Sequence, residues 1–326
     1  MKVAFAGSFA ARIAAPVRAQ LSLPCEFVVD DDETAIGARL HDADVLVSMA
    51  FSAQTALAAP RLRLVQVPGA GLDRIDRRAL RPDMQLANAY GHETGIAEYI
   101  MGAVIALTRS FSRLDTALRQ GRWESQWAVG QAAPPLWPEL AGKTLGILGF
   151  GHIGQALARR ATAFDMQVVA VRRHAQPDPP DGVALIAGPE RLDDVLRQAD
   201  YLAITLPLSP ETRELMDARR LLLLRPSVFL INAGRAEICD ETALYNALAS
   251  GRISGAALDV WYRYPTSTEP APPATQPFHT LPNVIMTPHV SGWTEGMLDA
   301  RARLIAENIA RTARSEPPLS AIDPAC

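Results

Sequence analysis

The sequence predicts an α/β protein built from two doubly wound domains with parallel sheets. Two observations predict it. The first is the rhythm of the chain: short apolar runs of strand length alternate with helical stretches over residues 1 to about 90, and again from 143 to about 290. The second is the stretch Lys143 to His174, where a strand-like run (Leu145, Ile147, Leu148) leads into Gly149-Phe150-Gly151-His152-Ile153-Gly154. Ile153, Ala156, Leu157, Ala161 and Phe164 follow at helical spacing, and Val168 to Val171 closes the unit as a second strand. Strand, glycine turn, helix and strand stand in the order that a dinucleotide site requires.

Each glycine of that motif has a physical task. Gly149 permits the tight turn, Gly151 lets a pyrophosphate approach the backbone, and Gly154 lets the helix lie close to the strand. The pyrophosphate is expected on the open N–H groups and positive end of the helix that starts near His152 and Ile153. An NAD site usually places an acid about 20 residues further on, where it grips the ribose 2′-hydroxyl. Here Val171 is followed by Arg172-Arg173-His174. Two guanidiniums suit a 2′-phosphate in forked, charge-assisted pairs, so NADP(H) is favoured and NAD remains an option. A solvated basic strand end is the plainer alternative.

Composition narrows the class. At 326 residues with 48% hydrophobic content, the chain has ample material for one or two globular domains. A net charge of −3 gives no general pull toward nucleic acid or acidic membranes. No apolar run approaches the roughly 18 residues of a membrane span. Cys25, Cys239 and Cys326 are widely spaced, which points to reduced thiols in a cytoplasmic protein without a metal framework. Cys239 reads as a small apolar filler.

In chain order, the strand candidates are Val3–Ala6, Phe27–Val29, Val45–Ser48, Leu64–Val67 and Leu86–Ala89. After the first of these, Gly7-Ser8-Phe9 runs directly into a helix, so this half does not hold the dinucleotide. Pro68-Gly69-Ala70-Gly71 follows a strand and exposes backbone N–H groups that can hold a carboxylate; a bare turn is the other reading. From His92 or Glu93 to about Arg119 the apolar spacing predicts one long helix. Gly121 to Pro138 reads as an irregular arm with Trp123, Trp127 and Trp137, either a dimer contact or a flap over the core.

Beyond the glycine unit, strands are expected at Tyr201–Leu206, Val228–Asn232, Ala256–Val260 and Val284–Thr287. Ligands in such sheets bind beyond the carboxyl ends of the strands. Arg235, Asp259 and His289 all fall at such ends. An arginine forks a carboxylate, and a histidine titrates in the range needed to deliver a proton to a carbonyl. Singly, each has a bland reading as a cap or loop residue. Residues 266–277 form a Pro-rich surface loop, and a last helix is expected over about Thr294 to Ala313.

The motifs GFGHIG at 149–154, LPLSPET at 206–212, INAGRAEICDETAL at 231–244, GAALDV at 255–260 and TPHVSG at 287–292 give the chain a resemblance to the D-isomer-specific 2-hydroxyacid dehydrogenases, over nearly its whole length. The resemblance implies two Rossmann-like domains. A flavodoxin-like substrate domain takes residues 1–92 and 294–326, and a Rossmann dinucleotide-binding domain takes 93–293. It also implies a homodimer, with hydride transfer between NAD(P)H and a small 2-oxo acid of the glyoxylate or hydroxypyruvate kind. By position, Arg235 resembles the arginine that grips substrate, and His289 the proton donor. Asp259 resembles the partner of the nicotinamide carboxamide. Ala70 and Gly71, with Ser291, fall where the family holds substrate, and Leu206, Pro207, Thr212, Ala233 and Gly234 fall where it lines the cofactor.

The chain departs from the family at one place. The family's glutamate, 29 residues after the arginine, is Tyr264 here. Tyrosine offers no charge at neutral pH, so His289 loses its expected ion pair. Two other functions stay open on that account: oxidation of a small anion such as formate or phosphite, and a non-catalytic NAD(P)-sensing binding protein.

Overall fold

A computed structural model describes residues 1–33, 35–130 and 134–323. Cys326, expected as a reduced thiol, lies outside the described residues; Cys25 and Cys239 are free thiols. The chain divides into two compact units, Met1–His92 with Trp293–Cys326, and Glu93–Gly292. Trp293 thus falls with the first unit, one residue from the expected boundary, and its ring packs edge-on against Phe9 with centroids 5.5 Å apart.

The first unit opens with β1 (Lys2–Ala6), α1 (Ser8–Gln20), β2 (Glu26–Asp30), β3 (Val45–Ser48), α2 (Ala53–Ala58), β4 (Leu64–Gln66) and β5 (Gln85–Ala87). The five strands are parallel and lie in the order 2-1-3-4-5, which is the flavodoxin-like order. The burial explains the apolar runs. Val45 to Ser48 is buried at every position, because both faces of a parallel sheet are covered.

In the second unit the expected helix from residue 92 to 119 is two helices, α3 (Glu93–Thr108) and α4 (Phe111–Arg119). Ser110 breaks them apart in the left-handed region at φ 50. The apolar spacing runs on through the break, yet Phe111 and Leu118 are about half exposed and cover no core. Next come β6 (Thr144–Leu148), α5 (His152–Thr162), β7 (Gln167–Val171) and β8 (Val183–Ala187), the last not anticipated. Phe164 lies past the end of α5 and is exposed.

The unit continues with α6 (Leu192–Gln198), β9 (Tyr201–Ile204), α7 (Ala218–Leu221), β10 (Phe229–Asn232), α8 (Glu241–Ala249), β11 (Gly255–Leu258) and β12 (Val284–Met286). All seven strands are parallel, in the order β8-β7-β6-β9-β10-β11-β12. That is the Rossmann order, with its reversal between β6 and β9 and one extra strand at the far edge. Two apolar clusters cover the two faces: one holds Ile100, Leu145, Ile147 and Leu157, the other Leu148, Ile204, Leu230 and Leu258. Burying each such side chain contributes about 1.5–3 kcal/mol.

Of the arm's three tryptophans, Trp137 is half-buried while the other two stand in solvent. Trp123 is 60% and Trp127 81% exposed, so neither ring covers core.

The chain then returns to the first unit through α9 (Glu295–Ala313), capped by the Thr294 hydroxyl, and β13 (Ala321–Ile322). Ile305 and Ile309 of α9 pack with Val3, Phe5, Ile13 and Val17. The short β13, also not anticipated, pairs antiparallel with β5 at the sheet edge. Among the described residues, no helix is long and apolar enough to cross a membrane.

Candidate active site

The glycine turn has the geometry its sequence requires. Gly149 sits at φ 105, and a Cβ there would lie 2.9 Å from Leu206 N and Thr205 C. Thr205 Oγ1 donates to Gly149 O at 2.7 Å and so ties the turn to the end of β9. A Cβ on Gly154 would lie 2.4 Å from Gly149 O, which leaves glycine as the residue that fits. Over Gly151 a Cβ would meet nothing within 4 Å. Gly151 is the N-cap of α5 and supplies no side-chain cap, so no side chain of the cap residue covers the start of the helix. A closed turn under an open helix start fits a dinucleotide pyrophosphate.

The loops around that turn are firm. In the 206–212 loop, Ser209 N donates to Thr212 Oγ1 at 2.7 Å, and Thr212 Oγ1 donates to Pro207 O at 2.8 Å. Gly234 follows buried Ala233 and is packed so tightly that a Cβ would lie 2.7 Å from Leu206 O. Beyond β7, Arg172 N donates to Ala187 O, and its guanidinium donates to Gln176 Oε1 at 3.3 Å. Arg173 is exposed, and its charge helps hold the Glu211 carboxyl below its usual range, after the Ser209 hydroxyl and the backbone.

Arg235, Tyr264 and His289 come together past the carboxyl ends of β10, β11 and β12. The Tyr264 hydroxyl meets His289 Nδ1 at 2.7 Å, with ring centroids 5.7 Å apart. Trp261 N–H donates to the Tyr264 oxygen at 3.4 Å. Arg235 Nη1 donates to Gly234 O at 2.8 Å, while the Asn232 side chain holds Arg235 O. Loss of solvation lowers the His289 pKa below its ordinary value; the Arg235 charge adds to this and Asp259 opposes it. Burial raises the Tyr264 pKa, which the Trp261 N–H and Arg235 partly oppose. The tyrosine is therefore a neutral hydroxyl at physiological pH.

His289 sits at φ 58, a left-handed conformation that costs a side-chain-bearing residue free energy. Asp259 holds the loop there. It is 0% exposed; its Oδ1 accepts from Thr287 Oγ1 at 2.6 Å and Val290 N at 2.9 Å, and its Oδ2 from Ser291 N at 2.8 Å. The expected role of Asp259 beside a carboxamide thus meets an enclosed carboxylate with three donors on the His289 loop. Ser291 is buried too, at 5% exposure, and serves this anchorage through its backbone. Trp261 Nε1 donates to Thr287 O at 2.8 Å, and the Tyr99 hydroxyl lies 2.7 Å from Thr287 Oγ1. The sequence reading passed over Trp261, Tyr99 and Thr287. Thr287 stood beside His289 in a quoted motif, but Tyr99 carried no signal from so distant a helix.

In the first unit, Ala70 and Gly71 lie on the loop after β4. Among the described residues, neither N–H has an acceptor, and Asn88 Nδ2 donates to Ala70 O at 3.0 Å. Cys239 is buried, and burial pushes its thiol up to about 12, which fits a filler.

A turn, an arginine and a histidine so arranged define a nicotinamide-dependent oxidoreductase, and sequence comparison agrees. A family model described as "D-isomer specific 2-hydroxyacid dehydrogenase, NAD binding domain" matches residues 101–291. The chain belongs to the D-isomer-specific 2-hydroxyacid dehydrogenase family, the NAD(P)-dependent oxidoreductases of 2-hydroxy acids. It is 34% identical to a D-3-phosphoglycerate dehydrogenase of Methanocaldococcus jannaschii; the alignment covers 85% of this chain and 51% of that one, so the chain spans about half that relative's length. It is 33% identical to a glyoxylate reductase of Thermococcus kodakarensis, with 86% and 83% covered. The solved structure of an NADPH-dependent glyoxylate/hydroxypyruvate reductase from Sinorhizobium meliloti, in complex with NADP and malonate, is similar at TM-score 0.80 and 28% identity, with 99% and 97% covered.

Proposed function

We propose that the protein reduces a small 2-oxo acid, of the glyoxylate or hydroxypyruvate kind, to the D-2-hydroxy acid with NADPH. The observation that carries this is the Tyr264–His289 contact at 2.7 Å, in the electrostatic reach of Arg235. The contact occupies Nδ1 and leaves Nε2 as the ring's reactive nitrogen. When bound, the nicotinamide supplies the hydride. Arg235 forks the carboxylate and polarises the carbonyl. In the first unit by itself, the Ala70 and Gly71 N–H groups are donors of the kind that hold a carboxylate. His289 gives its Nε2 proton to the carbonyl oxygen, and Tyr264 keeps the ring in place as the proton leaves. Arg172 and Arg173, with no acid after β7, support NADPH over NADH. The first unit is the substrate domain in this reading, and the second holds the cofactor. The exposed Trp123 and Trp127 support a homodimer through their arm, and the free thiols Cys25 and Cys239 fit a cytoplasmic setting. The test is to mix the protein with NADPH and a panel of 2-oxo acids and to follow the cofactor's absorbance. No turnover of any of them would sink the reading.

The same contact favours a second reading, oxidation of a formate-like anion. That reaction passes no proton to a base, so a histidine without a carboxylate partner does not impede it. Turnover of formate with NADP⁺ or NAD⁺, in place of 2-oxo acid reduction, would select it. Cofactor binding with neither turnover would mark a binding module.

A further inference from the structure

We infer that Asn88 is a positioning residue that aims the carboxylate-holding N–H groups of the first unit; this rests on the activity proposed above. Past the ends of β4 and β5 the two strands go on as a hydrogen-bonded ladder. Val67 N–H donates to Ala87 O at 2.8 Å, and Ala89 N–H donates to Gly69 O at 3.0 Å. Among the described residues, the Ala70 carbonyl beyond it has no backbone donor. Asn88 supplies it from its side chain, with Nδ2 donating to Ala70 O at 3.0 Å.

The consequence follows from the peptide unit. A trans peptide is planar, so a carbonyl and the N–H that follows it point in opposite directions. Drawing Gly69 O toward Ala89 turns the Ala70 N–H away from β5. Drawing Ala70 O toward Asn88 turns the Gly71 N–H away as well. Two successive N–H groups then face the same side without an acceptor among the described residues, which is the arrangement that captures an anion.

Asn88 holds this post at a cost to the fold. The residue is 2% exposed, and its Oδ1 is buried with no hydrogen-bond partner among the described residues. An apolar residue of the same shape would remove that deficit, so stability alone does not account for the amide. Its donor half does the work of aiming Gly71.

The test uses the full chain as Asn88→Leu and Asn88→Asp. Both lose the donor; the first also removes the unpaired oxygen. Calorimetric titration with oxalate, a dicarboxylate that is not reduced, reads the N–H pair without turnover. The oxalate Kd and the KM for a 2-oxo acid are expected to rise about fivefold, the value of one hydrogen bond. Meanwhile kcat and the NADPH Kd stay within about twofold, and the Asn88→Leu unfolding midpoint is no lower than wild type. Unchanged oxalate Kd in both variants overturns the assignment, as does equal loss of oxalate affinity, NADPH affinity and stability. A wild-type protein that turns over no 2-oxo acid sinks the activity alone, because the oxalate comparison still decides the role of Asn88.

Discussion

The Tyr264 hydroxyl and His289 Nδ1 lie 2.7 Å apart, where the family pairs this histidine with a carboxylate. A carboxylate only accepts, so it demands a proton on Nδ1 and favours the imidazolium. A hydroxyl can donate or accept, so it tolerates either tautomer and supplies no counter-charge. Loss of solvation then lowers the His289 pKa, the Arg235 charge adds to it, and only the more weakly felt Asp259 opposes it.

The sign of the pH dependence follows. A lowered pKa means that the imidazolium, the proton donor in the proposed reduction, is lost at lower pH. The kcat/KM for 2-oxo acid reduction is expected to fall as pH rises, with its limb below the ordinary histidine value of about 6.5. Tyr264→Glu should raise the histidine pKa and move that limb upward. Profiles for wild type, Tyr264→Glu and His289→Ala check this. Full activity in His289→Ala would remove the histidine as donor.

Much of this site was legible because its residues fall at fixed offsets. The glycine motif fixed the cofactor turn, and counting from Arg235 landed on the tyrosine that touches His289. What escaped was decided by contacts distant in sequence. Tyr99 meets Thr287 across a separation of 188 residues, and Asn88 reaches Ala70 across 18. The break at Ser110 escaped for a different reason. Phe111, Leu114 and Leu118 preserve helical spacing, and periodicity carries no record of a left-handed φ. The edge strand β13 is two residues long and half-exposed, so the hydrophobic pattern that marks central strands is weak in it, whereas β8 is a run of five apolar residues that the pattern does carry.

Arg172 and Arg173 should set the cofactor preference. Replacing both with Ala removes charged partners that only a 2′-phosphate uses. NADPH binding is expected to weaken about ten- to a hundredfold while NADH binding changes little. Fluorescence titration with each cofactor measures it. Tighter binding of NADH than NADPH by wild type would reverse the assignment.

Arg235→Lys separates charge from shape. The guanidinium is steadied by Gly234 O at 2.8 Å, which orients its plane. Lysine keeps the charge but loses the forked pair of donors. The kcat/KM is expected to fall at least about tenfold, the cost of one charge-assisted hydrogen bond. A variant near wild-type rates on a 2-oxo acid would take Arg235 out of substrate capture.

Asp259 poses the sharpest choice, between a partner of the cofactor and an anchor of the catalytic loop. Its ionised oxygens can only accept, so Thr287 spends its one hydroxyl proton on Oδ1. Tyr99 must then be the donor to Thr287 Oγ1, and a directed chain runs from Tyr99 through Thr287 to Asp259. Asp259→Asn turns one acceptor into an NH₂ group facing backbone or hydroxyl donors, and His289 at φ 58 loses its hold. If Asp259 is the anchor, kcat falls about a hundredfold, roughly 2.7 kcal/mol of barrier, while the NADPH Kd changes little. Tyr99→Phe removes the outer link only, so its loss in kcat should be several times smaller. A partner of the carboxamide would behave otherwise, with the main loss of Asp259→Asn in cofactor affinity and no effect from Tyr99→Phe. Stopped-flow turnover and cofactor titration on the two variants distinguish the roles, and weaker NADPH binding with kcat intact would return Asp259 to the cofactor.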